Sequence, residues 1–219
     1  MRVLDLGCGP GSITAGLAAA VAPGGKVLGM DADFGQLTAT RGFCSTTGVD
    51  SSVGLAVGEA TALPICDGSI DVAFAHAMFE HLTTPDAVLQ ELRRVLRPGG
   101  ELALCSSDWS QARVEPYTPG VAQVLRAYWR LRQQTGSDPF AGGHLPDWVS
   151  AAGFTVHTIN RVDRTDMSYP ELGAYLHHRL ATAAHQPAVE ADDLAKAATW
   201  PADVSGQFTQ CWVEVRATR

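Results

Sequence analysis

Long apolar runs are missing from this 219-residue chain. None reaches the roughly 18 to 20 residues that a membrane-spanning helix needs, and the opening lacks the charged-then-apolar pattern of a signal peptide. The expectation is a soluble, cytoplasmic protein with no membrane partner. Positive charge is also scarce: 16 Lys and Arg stand against 23 Asp and Glu, a formal net charge of -7. That is the wrong sign for a protein held on phosphate backbones by counterion release, so nucleic acid is not an expected partner. The five cysteines, Cys8, Cys44, Cys66, Cys105 and Cys211, are odd in number and widely spaced, with no Cys-x-x-Cys pair. Neither a disulfide framework nor a metal centre is expected from them.

What is present is a chain 46% hydrophobic and 18% charged, able to bury one full core, so residues 1–219 read as a single domain. The first hundred residues alternate short β-type runs with helical patterns, the signature of β-α-β units and an α/β fold with a parallel sheet. The pattern predicts strands at Val3–Leu6, Lys26–Met30, Val53–Val57, Ile70–Ala75 and Glu101–Ser106. Helices fit between them at Ser12–Val21, Phe34–Thr46 and Pro85–Leu96, the last with Ala87, Val88, Leu92, Val95 and Leu96 on one stripe and Pro98-Gly99-Gly100 as its stop. Beyond Ser107 the pattern changes. A long connection, residues 108–152, carries a helix near Val121–Gln133; a sixth strand is expected at Phe154–Ile159 and a last one at Phe208–Val215. Between these two strands, residues 163–205 hold a second helical insertion, with Pro170 suited to a first helical turn and Pro187 a break.

The first strand runs into "GCGPG", with Gly7, Gly9 and Gly11 within five positions. A glycine there lets backbone approach a ligand closely or take positive φ. The third glycine of the dinucleotide fingerprint G-x-G-x-x-G is absent, because Ser12 occupies its place, which argues against a nicotinamide cofactor. Asp31 ends the second strand, where a carboxylate can accept from both ribose hydroxyls; Asp33 reads as a helix N-cap.

Four segments in order, VLDLGCGPGSIT, VLGMDAD, GEATALP and DGSIDVAFAHAMFEHL followed by LRPGGELAL, cover residues 2 to about 106. Together they resemble the class I S-adenosylmethionine-dependent methyltransferases, in the branch that includes quinone-ring C-methyltransferases and many small-molecule enzymes. The resemblance implies a Rossmann-like seven-stranded sheet, mostly parallel with an antiparallel last strand and helices on both faces. It makes residues 1–107 the cofactor-binding core and the two helical insertions the walls of an acceptor pocket. By position it implies that Gly7, Cys8 and Gly9 line the methionine part of S-adenosylmethionine and that Asp5 helps orient its amino group. Asp31, with Ala32 beside it, would hold the ribose. Glu59, where the family more often has Asp, would take the adenine amino group, with Ala60 adjacent. Ala75 and His76 would face the methionine end and the methyl group.

Methyl transfer from a sulfonium is an in-line displacement, in which orientation and water exclusion are worth roughly 7 to 11 kcal/mol. A base is required only when the acceptor must lose a proton. His76, at the carboxyl end of a strand beside the expected methyl group, is the first catalytic candidate; shaping the cofactor pocket is its alternative role. His144, in "DPFAGGHLPDW", is the second. His81, in the Glu80-His81 pair, reads as structural. Asp108 and Trp109, just after the fifth strand, would line the acceptor pocket. Insertions rich in Trp, Tyr, Phe, Leu and Ala suggest a small, largely apolar acceptor, methylated at carbon or oxygen. The competing reading is a protein of the same fold that binds the cofactor without methyl transfer, as a cyclase or regulatory partner. Only Met1 and Arg2 precede Val3, so cover for the site is expected from a segment outside this sequence, from a homodimer partner or from the later insertions.

Overall fold

Alternation of burial along the strands sets the architecture. In β1 (Arg2–Leu6), Val3 packs with Ala18 and Val27, whereas Leu4 and Leu6 enter a larger core. Successive strand side chains point to opposite faces, so the sheet is buried on both sides. The computed structural model describes residues 1–200 and 205–219. Its seven strands add β2 (Lys26–Asp31), β3 (Val53–Val57), β4 (Ile70–His76), β5 (Leu96–Glu115), β6 (Thr155–Arg164) and β7 (Gln207–Thr218). They lie in the order β3-β2-β1-β4-β5-β7-β6. The first five run parallel to one another, and β7 is antiparallel to both β5 and β6.

Helices α1 (Ser12–Ala20) and α2 (Phe34–Thr46) join the first three strands. Asp33 caps α2, its Oδ1 accepting from Gly35 N at 2.7 Å. On the other face lie α3 (Pro85–Val95) and α5 (Ala141–Ala151). Val88, Leu89, Leu92 and Val95 of α3 are fully buried, each stabilising by about 1.5–3 kcal/mol. Ala87, expected on that stripe, faces out, and Leu89 takes its place. Pro170 does sit in the first turn of α6 (Tyr169–Thr182), which starts with a Ser168–Glu171 capping box.

The strands of the second half are longer than their composition predicts. β5 continues from Asp108 through Glu115, so the expected boundary at residue 107 falls inside a strand and the first insertion becomes helical only at α4 (Pro119–Gln134). The cause is its partner: after a register shift, Arg113, Val114 and Glu115 pair with Thr209, Phe208 and Gln207. These extensions carry Trp109, Val114 and Phe208 into a second core built by α4, α6 and α7 (Ala191–Ala198). β6 likewise runs to Arg164, past the predicted end at Ile159. The last part of the predicted 163–205 insertion, residues 201–204, lies outside the described residues. No described helix is long and apolar enough to cross a membrane.

Candidate active site

The connections leave β1 in two directions: β2 and β3 lie on one side of it, β4 and β5 on the other. In open parallel sheets the crevice beyond the strand ends at such a switch point receives ligands. Here the glycine turn is hung on the end of β2. Gly7 N and Cys8 N both donate to Met30 O, at 2.8 and 3.0 Å, and Gly9 N donates to Asp31 Oδ2 at 2.9 Å. Asp31 Oδ1 accepts from Asp33 N at 3.0 Å. Gly11 has φ +94°, and a Cβ there would lie 2.7 Å from Thr40 Cα, so only glycine fits. At Gly9, φ +53°, a Cβ would meet nothing within 4 Å; the backbone is bare on its open side.

That open side is a cleft of about 530 Å³. It gathers six of the residues predicted for the cofactor, Gly7, Gly9, Asp31, Ala32, Glu59 and Ala60. Asp5 and Cys8 support the turn from below. Asp5 is buried and accepts from Thr14 Oγ1 at 2.6 Å. Burial pushes its pKa up to about 6, the Thr14 bond opposing and the charge of Asp31 adding to the rise. Cys8 is also buried, and burial pushes its thiol up to about 11.

Ala75 and His76 do not line the cleft; Ala77 and Met78 do. Ala75 is fully buried in the sheet core. His76 stacks on Trp212, ring centroids 4.9 Å apart and planes 11° from parallel, and Arg164 sits over the same indole at 5.7 Å. Burial, and then the charge of Arg164, lower the pKa of His76. Ala77 has φ +54°, unique among the described non-glycine residues. A left-handed alanine stores strain, a feature that clusters at ligand sites.

A second hollow, about 230 Å³, opens beside the first, and His81 lines both. Its walls include Trp109, expected from the sequence beside the acceptor, with Tyr128, Tyr175, Phe208 and Trp212; Arg132 and Glu80 are its charged residues. Glu80 is buried and accepts from Ser106 and, at 3.3 Å, from Ser107. Burial raises its pKa against those hydrogen bonds. Asp108 is buried but turned onto its own chain, Oδ1 accepting from Ser110 N and Oγ at 2.9 and 2.6 Å. His144 lines neither hollow. It is exposed, its Nδ1 is 2.7 Å from Asp138 Oδ2, and it borders a separate depression with Leu82 and Trp148.

Residues 4–104 match the methyltransferase domain family Methyltransf_11. That segment is a domain of the class I S-adenosylmethionine-dependent methyltransferases. It is 41% identical over 102 residues to a malonyl-[acyl-carrier protein] O-methyltransferase of Methylococcus capsulatus, 47% of this chain and 36% of that one. To an uncharacterized methyltransferase of Schizosaccharomyces pombe it is 30% identical over 164 residues, 73% of this chain and 58% of that one. The fold matches a SAM dependent methyltransferase from Aquifex aeolicus with a TM-score of 0.60 at 18% identity, covering 100% of this chain and 81% of that one. The chain spans 36–60% of the length of the curated relatives it matches.

Beyond the family's motif region, sequence reasoning missed Tyr128, Arg132, Tyr175 and Trp212, and it set His81 aside as structural. The one available signal was the spacing of Tyr128 and Arg132, four apart on α4 and so on one face. Nothing local marks Tyr175 or Trp212, which reach the hollow from α6 and β7.

Proposed function

We propose that this protein binds S-adenosylmethionine in the larger cleft and transfers its methyl group to a small, largely apolar acceptor held in the adjoining hollow. The residues present fit the cofactor: a bare glycine backbone at Gly9, a carboxylate fixed by two main-chain amides at Asp31, and Glu59 on the same cleft. When bound, S-adenosylmethionine supplies an electrophilic methyl group on a sulfonium. Asp31 is suited to accept from the ribose hydroxyls and Glu59 from the adenine amino group, while Gly7 and Gly9 would border the methionine part. Tyr128 and Arg132 of α4 and Tyr175 of α6 wall the smaller hollow, and orientation and desolvation of the reacting groups supply the rate enhancement in such a displacement.

The observation that carries this reading is the shared wall: the two hollows meet at His81, beyond the carboxyl end of β4. The five cysteines are all unpaired, which suits a reducing compartment such as the cytoplasm. Calorimetric titration with S-adenosylmethionine and S-adenosylhomocysteine tests it, with micromolar binding expected for both. Absence of binding to either rejects the reading. An acceptor that gains one methylene in mass supports transfer; an isomerised acceptor of unchanged mass supports a cyclase instead.

A further inference from the structure

Resting on the reading that the smaller hollow seats the acceptor, we infer that this acceptor carries an anionic oxygen (a carboxylate, enolate or phenolate) on a flat apolar body, and that Arg132 receives the oxygen. Arg132 is only 6% exposed yet lines the hollow. A buried guanidinium is costly unless a negative group answers it. Here it donates only to neutral acceptors: Tyr128 Oη at 2.8 Å, the Glu80 backbone oxygen at 3.0 Å and His81 Nδ1 at 3.3 Å. Its Nε has no partner among the described residues. Among the described residues Arg132 forms no ion pair. Among the described residues the one carboxylate lining the hollow is that of Glu80; burial raises its pKa and the charge of Arg132 opposes that rise, but no hydrogen bond or ion pair joins the two side chains, and the carboxylate accepts from Ser106 and Ser107 instead.

The surrounding groups are arranged as donors. An arginine can only donate, so His81 Nδ1 must accept, which puts the ring hydrogen on Nε2. Packing around the ring and then the charges of Arg132 and Arg179 lower the pKa of His81, which keeps it neutral. His81 is therefore a hydrogen-bond donor in this arrangement and not a proton acceptor. The Tyr128 and Tyr175 hydroxyls are 2.9 Å apart. Two hydroxyls share one bond, so one O–H remains free to donate. The lining thus combines a cation, a spare O–H and an N–H with the rings of Trp109, Phe208 and Trp212, a set that matches an oxyanion on a planar apolar body.

The test compares 2-naphthoate with its neutral isostere 2-naphthamide by calorimetry, on protein alone and on protein loaded with S-adenosylhomocysteine. The expected result is naphthoate bound roughly tenfold or more tightly than the amide, with that preference lost in Arg132→Gln. Equal affinities in the unaltered protein, no binding of naphthoate, or a preference that survives Arg132→Gln in a folded variant would each overturn the inference. The comparison on the unaltered protein decides the matter even if that variant does not fold. Failure of S-adenosylhomocysteine to bind, with the naphthoate preference intact, would remove the cofactor reading and leave the anion site standing.

Discussion

Asp31 gives the sharpest test of the cofactor cleft. Its oxygens already accept from Gly9 N at 2.9 Å and Asp33 N at 3.0 Å. Each carboxylate oxygen has two acceptor positions, so each keeps one for a ribose hydroxyl. Asp31→Ala removes these outward acceptors and the tie that holds Gly9. A hydrogen bond to a charged group contributes about 1.5–3 kcal/mol. Losing one at the low end weakens S-adenosylhomocysteine binding about tenfold, and losing two weakens it more than about a hundredfold. The assay is calorimetric titration at fixed salt, with denaturant unfolding of the same samples. Asp33→Ala is the control: it deletes the α2 cap, at a cost of about 1 kcal/mol of stability, while leaving the Asp31 carboxylate in place. The expected pattern is a large affinity loss for Asp31→Ala and little for Asp33→Ala. Wild-type affinity in Asp31→Ala, or equal losses in both variants, would refute the ribose assignment.

Gly11→Ala should destabilise the fold by about 2 kcal/mol or more in denaturant unfolding, because left-handed backbone costs an alanine roughly 1–2 kcal/mol and its Cβ would lie 2.7 Å from Thr40 Cα; unchanged stability would remove the argument from close approach. Asp5, raised from 3.8 to about 6 in the fold, binds its proton more tightly folded than unfolded, so its contribution to stability is full below the lower value and is lost as pH climbs through about 6. The displacement corresponds to about 3 kcal/mol. Asp5→Asn, which keeps an acceptor for Thr14, should therefore become more stable relative to wild type between pH 4 and pH 6; a difference that stays flat with pH would show that Asp5 is not shifted. His144→Ala should leave both S-adenosylhomocysteine affinity and methyl transfer unchanged, and a large loss of turnover would bring His144 back into the chemistry.

The cofactor cleft is legible in the sequence because its parts are short-range. Gly7 to Gly11 follow β1 directly, Asp31 ends β2, and Glu59 and Ala60 follow β3, so each functional residue is fixed by the end of its own strand. His76 shows where that logic fails. It closes β4 one residue past the predicted end at Ala75, but its surroundings are set by register across β5 to β7. His76 pairs with Cys105, Cys105 with Glu214, and Trp212 lies two residues from Glu214 on the same face, which is why the imidazole stacks on an indole and leaves the cleft to Ala77 and Met78. Periodicity in one segment carries no register between segments.

The acceptor hollow is of this second kind throughout. Its residues run from Glu80 to Trp212 and come from α4, α6, β5 and β7, brought together by packing of the second core. The two halves of the site therefore answer to different constraints. Substitutions at Tyr175 or Trp212 change the lining of the smaller hollow without touching the glycine turn. The short 3-10 turn Phe79–His81 is where the halves are joined. Phe79 anchors it in the sheet core, Glu80 is held by Ser106 and Ser107, and His81 faces both hollows. His81→Ala should accordingly disturb S-adenosylhomocysteine and naphthoate affinity together, whereas Asp31→Ala and Arg132→Gln each disturb one. A His81→Ala variant that altered only one of the two affinities would show that the hollows do not share a working wall.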